Sequence, residues 1–428
     1  MKHLLKNATR IDESGQRSRC DILIEDGRIA AVDTAVTETA DMTVEDLGGH
    51  LVVPGMTDMH VHLREPGQEA KESIESGTQA AAAGGMTRVV TMANTSPVID
   101  SLAALNAVKE RAREVGRVKV GVYGAISHNL EGKVLSDMGD MAQGGALGFS
   151  DDGHYVESAE FMRRAMEYAA TFDKPIIDHA EDMTMAGHGM MHEGRCSAEL
   201  GLIGRPRVAE DIAVARDLML AELTGVRLHV AHISSKYAVE LVRAAKARGL
   251  NVTAEVTAHH LSLTDEELRG YRTECKVAPP LREESDRLAL LKGLADGTID
   301  AIVTDHSPHA DEEKDVPFCC APNGMSGLET SLAAVLTYAV APGHVSLARA
   351  MDAMSAAPTR ILGYAGGGWT VGAPADLTVI DTDAEWTVDP ARLYTKSRYT
   401  PFAGKHLVGR AVATWVDGRL VMKDGDVK

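Results

Sequence analysis

The chain has 428 residues, 44% of them hydrophobic and 25% charged, the balance of a soluble globular protein able to bury a large core. Its 44 basic and 62 acidic side chains give a formal net charge of -18, which argues against nucleic acid or an anionic membrane as the main partner. The five cysteines (Cys20, Cys196, Cys275, Cys319 and Cys320) are odd in number and contain no C-x-x-C, so neither a disulfide framework nor a thiolate zinc site is indicated, and a reducing compartment fits.

In chain order, "MKHLLKNATRIDESG" lacks the apolar run of a signal peptide, and no segment approaches the ~18 uninterrupted apolar residues of a membrane helix, so a cytoplasmic protein is expected. "ILIEDGRIAAV" sets Asp26-Gly27 between alternating apolar runs, a hairpin whose two-residue turn needs positive φ twice. "TDMHVHLR" at 57–64 reads as a strand end. Side chains alternate along a strand, so His60 and His62 share a face about 7 Å apart, able to hold one metal ion or to sit on an ordinary edge strand. "SIESGTQAAAAGG" at 73–85 predicts an alanine-rich helix stopped by glycine. Strand patterns return in "MTRVVTMAN", "RVKVGVYGAI", "GALGFSDDG", "KPIIDHAED", "VRLHVAHIS", "NVTAEVTAHH" and "TIDAIVTDHSPH". Helical stretches such as "SAEFMRRAMEYAATF", "AEDIAVARDLMLAELTG", "YAVELVRAAKARG" and "ESDRLALLKGLADG" fall between several of them, which implies a parallel sheet. Near the end come "ADLTVID" and "ATWVDGRLVM", the latter repeating the hairpin pattern around Asp417-Gly418.

The expected fold is α/β: a (β/α)8 TIM-like barrel over 56–356, with a small β-sandwich domain built from both chain ends, 1–55 and 357–428. An open doubly wound sheet is the competitor, but no G-x-G-x-x-G turn or P-loop supports a nucleotide-binding version. Polar residues recur at the C-terminal ends of the predicted strands: His60 and His62, Asn94, Asp151-Asp152, His179, His232, His259 and His260, then Asp305 and His309. In a closed barrel these ends meet on one rim, where barrel enzymes carry their chemistry. A lone histidine after a strand is most often a core or loop residue; the repetition is better explained by one site. Nitrogen and carboxylate donors without sulfur suit catalytic Zn²⁺, though Mn²⁺, Fe²⁺ or Co²⁺ could bind the same set. Six candidate ligands exceed the three that one catalytic zinc takes, so two metals ~3.5–4 Å apart would use them, lowering the pKa of water and polarising a carbonyl. That chemistry is hydrolysis or its reverse.

"DMHVHLREPG", "HAED", "AHIS" and "TDHSPH", in this order after an N-terminal hairpin, closely resemble the amidohydrolase superfamily, and within it the class I dihydroorotases, from about residue 45 onward. The resemblance implies reversible cyclisation of N-carbamoyl-L-aspartate to L-dihydroorotate in de novo pyrimidine biosynthesis, with metal-bound hydroxide as nucleophile. It implies His60, His62, His179 and His232 as ligands of zinc, two ions per chain or one, and Asp305 as both ligand and general acid/base. Arg64 resembles the guanidinium that clamps the substrate carboxylate, with Asn94 and His309 as companions. Hydantoinases and allantoinases typically bridge their metals with a carboxylated lysine on the fourth strand; this chain has no lysine between Lys133 and Lys174, so Asp152, or the adjacent Asp151, would bridge.

Two positions depart from the family: Ala278 stands where asparagine is frequent, and Asn323 where phenylalanine is frequent. The long loop from His309 to Gly327 is expected to cover the substrate, with Asn323 and Gly324 making polar contacts, while its run "ADEEKD" reads as a solvated surface. Two other functions compete: another cyclic amidase of the allantoinase or hydantoinase kind, and a catalytically silent subunit scaffolding aspartate transcarbamoylase. Silent forms tend to lose metal ligands, and here all six are present. An active form can associate with that transferase too, since it makes the substrate; a homo-oligomer is also expected.

Overall fold

The computed structural model describes residues 2–12, 14–364 and 368–428. The N-terminal end forms β1 (Lys2–Ile11), β2 (Arg17–Glu25), β3 (Arg28–Asp33), β4 (Met42–Asp46) and β5 (Leu51–Pro54). The middle of the chain contributes β6 (Met56–Val61), β7 (Met86–Thr91), β8 (Lys119–Val122), β9 (Ile176–Asp178), β10 (Met191–His192), β11 (Gly204–Arg205), β12 (Leu228–Val230), β13 (Val252–Thr257) and β14 (Ala301–Val303). The C-terminal end supplies β15 (Leu377–Thr387), β16 (His406–Val416), β17 (Arg419–Lys423) and β18 (Asp426–Val427).

Strands from both ends join one sheet in the order β18-β17-β16-β15-β5-β1-β2-β3, with β4 beside β1. The seam is β5 against β15, antiparallel, Leu51 opposite Ile380. The two hairpin turns have the positive φ pairs their sequences demand: 48° and 80° at Asp26-Gly27, 47° and 70° at Asp417-Gly418. Their tips touch. A Cβ on Gly27 would stand 2.7 Å from the Asp417 carbonyl oxygen, so this glycine is needed for close approach as well as for φ. Strands from both chain ends share a core that includes Leu5, Ile22, Ile29, Val52, Leu377 and Trp415.

The middle of the chain is α/β, and its strands pair in parallel. β6-β7-β8 form one sheet and β14-β13-β12-β9 another. Isolated parallel bridges connect them: Gly124 to Phe149, Phe149 to Ile176, and Val61 to His306. The helix after β6 spans Ile74–Ala83, opened by reciprocal Ser73 and Ser76 hydrogen bonds and ended at Gly84. All six residues of β6 are buried, Thr57, Asp58 and His60 among them, so this strand carries polar groups into the interior.

Three sequence expectations need correction here. The fourth strand, expected in "GALGFSDDG", shrinks to the single bridging residue Phe149. Its glycines cost strand propensity, and Gly148 sits where a Cβ would lie 2.8 Å from the Pro175 carbonyl oxygen. His259 and His260 do not end a strand: β13 stops at Thr257, whose hydroxyl accepts the His260 N–H and caps a short helix, Ala258–Ser262. A domain boundary at 357 falls inside a helix, Ala356–Leu362, which packs with the helix Leu347–Met354 and with β6. Among the described residues no helix is long and apolar enough to cross a membrane.

Glu329 ties the two regions together. Its carboxylate accepts the N–H groups of Tyr394 at 3.0 Å and Thr395 at 3.2 Å, and the Tyr394 hydroxyl accepts the N–H of Val427 on β18 at 3.0 Å. Burial raises the Glu329 pKa from 4.5 to about 7. The folded protein therefore keeps a proton that the unfolded chain has released, so this group's contribution is full below pH ~4.5 and is lost as pH rises through about 7. Glu329→Gln should flatten the fall in stability across that window; urea melts at several pH values measure it, and an unchanged slope contradicts the assignment.

Candidate active site

β6 and the residue that follows it, His62, deliver two buried imidazoles with ring centroids 5.5 Å apart. His60 Nδ1 lies 2.6 Å from Glu255 Oε1, a contact that keeps a proton on Nδ1 and makes Nε2 the nitrogen that a cation would take on displacing its proton. That Nε2 is buried and has no hydrogen-bond partner. It faces Asp152 Oδ1 at 3.4 Å and Asp305 Oδ1 at 3.6 Å. His62 Nε2 lies 3.2 Å from Asp305 Oδ1 and 3.4 Å from Asp152 Oδ2, while its Nδ1 is held by Asn94 Oδ1 at 2.9 Å. His232 Nε2 approaches Asp152 Oδ1 at 3.2 Å and His179 Nδ1 at 2.8 Å. Donor atoms of His60, His62 and Asp305, and of His60, Asp152 and His232, form two compact groups sharing His60.

These side chains fit a divalent cation on physical grounds. An orphaned buried imidazole nitrogen is costly without a partner, and buried carboxylates need positive charge. Burial alone would lower the pKa of His60, but Asp152 and Glu255 outweigh it and hold the imidazole well above its ordinary value. Burial would likewise raise Asp152, yet His60, His179 and His232 hold it well below the usual carboxylate range. The chain thus balances its carboxylates with imidazole protons, which a cation would displace on binding. Asp151 turns away, accepting the N–H groups of Ile126 at 2.7 Å and Ser127 at 3.0 Å. Arg64, His232 and Asp305 have left-handed φ of 62°, 27° and 47°, strain of the kind that the surroundings of a functional site must impose.

A cavity of about 260 Å³ opens beside this cluster, and Arg64, Asn94, Ala278, His309, Asn323 and Gly324 line it. Arg64 is only 7% exposed and donates to Pro308 O at 3.1 Å and Ser307 Oγ at 2.9 Å. Among the described residues no carboxylate pairs with it; Glu65 takes Arg111 instead, at 2.8 Å. His309 Nε2 meets Asn323 O at 2.8 Å, and burial, reinforced by Arg64, pushes its pKa down to about 4, so the ring is neutral at pH 7.

Several site residues escaped sequence reasoning. Arg205 and Glu181 line the cavity as a buried pair at 2.7 Å, with Glu181 3.7 Å from His179 Nε2. Glu255 anchors His60, and its other oxygen meets His229 Nε2 at 3.0 Å. An acid inside a strand otherwise of valine, alanine and threonine was the available signal for Glu255; nothing local marks Arg205. The run "ADEEKD" is more than solvated surface, because Lys314 is buried and donates to Pro322 O at 2.9 Å while Glu313 meets His309 Nδ1 at 3.2 Å.

The family model for dihydro-orotase-like domains matches residues 49–238. A protein named dihydroorotase from Syntrophotalea carbinolica is 50% identical over 427 residues, covering 100% of both chains. The chain belongs to the dihydroorotase family. A family member from Pelotomaculum thermopropionicum is also 50% identical, over 99% of each chain. Among solved structures, L-hydantoinase (dihydropyrimidinase) from Arthrobacter aurescens superposes with a TM-score of 0.91 at 30% identity, covering 100% of this chain and 97% of that one. D-hydantoinase from Thermus sp. gives 0.85 at 26% identity, covering 100% and 96%. This dihydroorotase-family chain therefore shares its fold with hydantoinases while its sequence lies nearer to proteins named dihydroorotase.

Proposed function

We propose that the chain is a dihydroorotase, catalysing reversible cyclisation of N-carbamoyl-L-aspartate to L-dihydroorotate in pyrimidine biosynthesis. The parallel strands are read as a closed (β/α)8 barrel, buttressed by the β unit from both chain ends, with His60, His62, Asp152, His179, His232 and Asp305 as zinc ligands. One observation carries the substrate assignment: Arg64 is buried beside the cluster without a carboxylate of its own, so an anionic substrate can supply one. When bound, zinc would activate a water and polarise the ring carbonyl.

The protein's own residues do the rest. Arg64 fixes the substrate carboxylate, with Asn94 Nδ2 and the neutral His309 as polar neighbours and Asn323-Gly324 as the wall. In the hydrolytic direction Asp305 takes the proton of the attacking water and delivers it to the ring nitrogen as the C–N bond breaks. Cyclisation retraces the path. Arg64→Lys keeps the charge and loses the planar fork, so KM should rise roughly tenfold with kcat little changed; steady-state kinetics check this, and an unaltered KM sinks the clamp.

The hydantoinase structures favour a second reading, a related cyclic amidase. Against it stand Asp152, where such enzymes carry a lysine by resemblance, and Arg64, which has no carboxylate partner among the described residues. A silent scaffold is disfavoured by the complete ligand set. Association with aspartate transcarbamoylase and with further copies of the chain belongs to the proposal. The deciding experiment measures metal per chain and follows carbamoyl-aspartate cyclisation beside allantoin and hydantoin hydrolysis. Dihydroorotate formation is expected; turnover of allantoin or hydantoin without it overturns the proposal.

A further inference from the structure

Cys319 and Cys320 are exposed, whereas Cys20, Cys196 and Cys275 are buried. The two exposed thiols sit in a turn closed by Cys320 N–H donating to Pro317 O at 2.8 Å, and their sulfurs lie 3.7 Å apart. Metal–sulfur bonds of ~2.3 Å spanning that separation meet at roughly 105–110°, a tetrahedral angle. Soft ions and trivalent metalloids prefer such thiolate pairs to the imidazole and carboxylate donors of the main cluster. A buried lysine lies beneath the turn: Lys276 Nζ donates to Phe318 O at 2.8 Å and Ala321 O at 2.7 Å, on either side of the pair.

We propose that Cys319 and Cys320 form a chelating site for thiophilic ions and trivalent metalloids, and that its occupation disturbs the substrate cavity. The coupling runs through Lys276, whose side chain holds the dithiol turn while its carbonyl accepts the Gly324 N–H at 2.9 Å. Gly324 has no slack, since a Cβ there would stand 2.4 Å from Ser307 O. Asn323 O is bound to His309, and the carbonyl of Pro322 to buried Lys314. The bound ion and its remaining substituent add bulk against the turn, and the displacement passes through Lys276 to Asn323 and Gly324 on the cavity wall. The activity readout rests on the proposed dihydroorotase function; chelation itself does not.

Phenylarsine oxide is the probe. Two As–S bonds form as the As–O bond and both S–H bonds break; the oxygen leaves as water and arsenic stays trivalent. In the full-length metal-loaded protein, one equivalent should remove two thiols from titration with dithionitrobenzoate and lower turnover at least tenfold. Dimercaptopropanol should restore both, and excess monothiol neither. Cys319→Ser and Cys320→Ser should have ordinary turnover that survives the reagent in the presence of monothiol. Wild-type protein that keeps both thiols titratable overturns the site, as does equal inactivation of the double variant C319S/C320S. Chelation with unchanged turnover overturns the coupling. Untreated protein without dihydroorotase turnover points to failure of the functional reading instead, and the two-thiol stoichiometry still decides the chelate.

Discussion

Asp305→Asn should lower kcat about a thousandfold, within the ~10²–10⁴ range that a positioned proton carrier contributes, while the far-ultraviolet circular dichroism stays that of the wild type. Asparagine is the informative replacement. Asp305 has φ of 47°, and asparagine tolerates the left-handed region as well as aspartate does, so the substitution removes the ionisable oxygen without adding backbone strain. Alanine would mix the two effects. The carboxylate is also a candidate ligand, 3.2 Å from His62 Nε2 and 3.6 Å from His60 Nε2, so metal per chain must be measured on the same samples. His60 and Asp152 still offer donors when Asp305 is neutral. Full metal occupancy with near-normal kcat would remove Asp305 from proton transfer; lost metal with lost activity would make it a ligand first.

Local chemistry accounts for what was legible in the sequence. Asp26-Gly27 and Asp417-Gly418 announce their hairpins because a two-residue turn restricts its residues whatever surrounds it. The paired glycines after Ala83 mark the end of one helix by local chemistry alone. The alternation of strands and helices follows from periodicity, so the α/β character could be read along the chain. Long-range partners were not readable. Two adjacent acids, Asp151 and Asp152, look alike in sequence, and the backbone amides of Ile126 and Ser127 determine which one turns away. Nothing near His259 and His260 says that Thr257 will cap a helix under them. Lys314 looks solvated in an acidic run, yet its ammonium is enclosed and its pKa lowered to about 7 by burial. Arg64 is the reverse case: two carboxylates stand close by in sequence, and neither reaches it, because Glu65 is taken by Arg111 and Glu69 accepts the Gly67 N–H.

Glu255→Gln is expected to weaken metal affinity by about 10–100-fold while leaving kcat near normal at saturating metal. The carboxylate bonds two imidazoles at once: Oε1 takes His60 Nδ1 at 2.6 Å, Oε2 takes His229 Nε2 at 3.0 Å, and His229 Nδ1 is in turn 2.7 Å from Thr253 Oγ1. Burial opposes ionisation of Glu255, but His60 and His229 outweigh it and hold the carboxyl well below its ordinary range. A negative charge behind His60 Nδ1 raises the basicity of Nε2, the atom left free for a cation. Glutamine preserves the shape and can still accept one imidazole N–H, but it removes that charge and turns an amide N–H₂ toward one of the two rings. His60 would then be held less firmly and its nitrogen would bind a cation more weakly. Competition against a chelator of known affinity reads the change directly, without reference to turnover. A variant that keeps wild-type affinity would leave Glu255 a packing residue, and the partnerless Nε2 of His60 would then owe its availability to the strand alone.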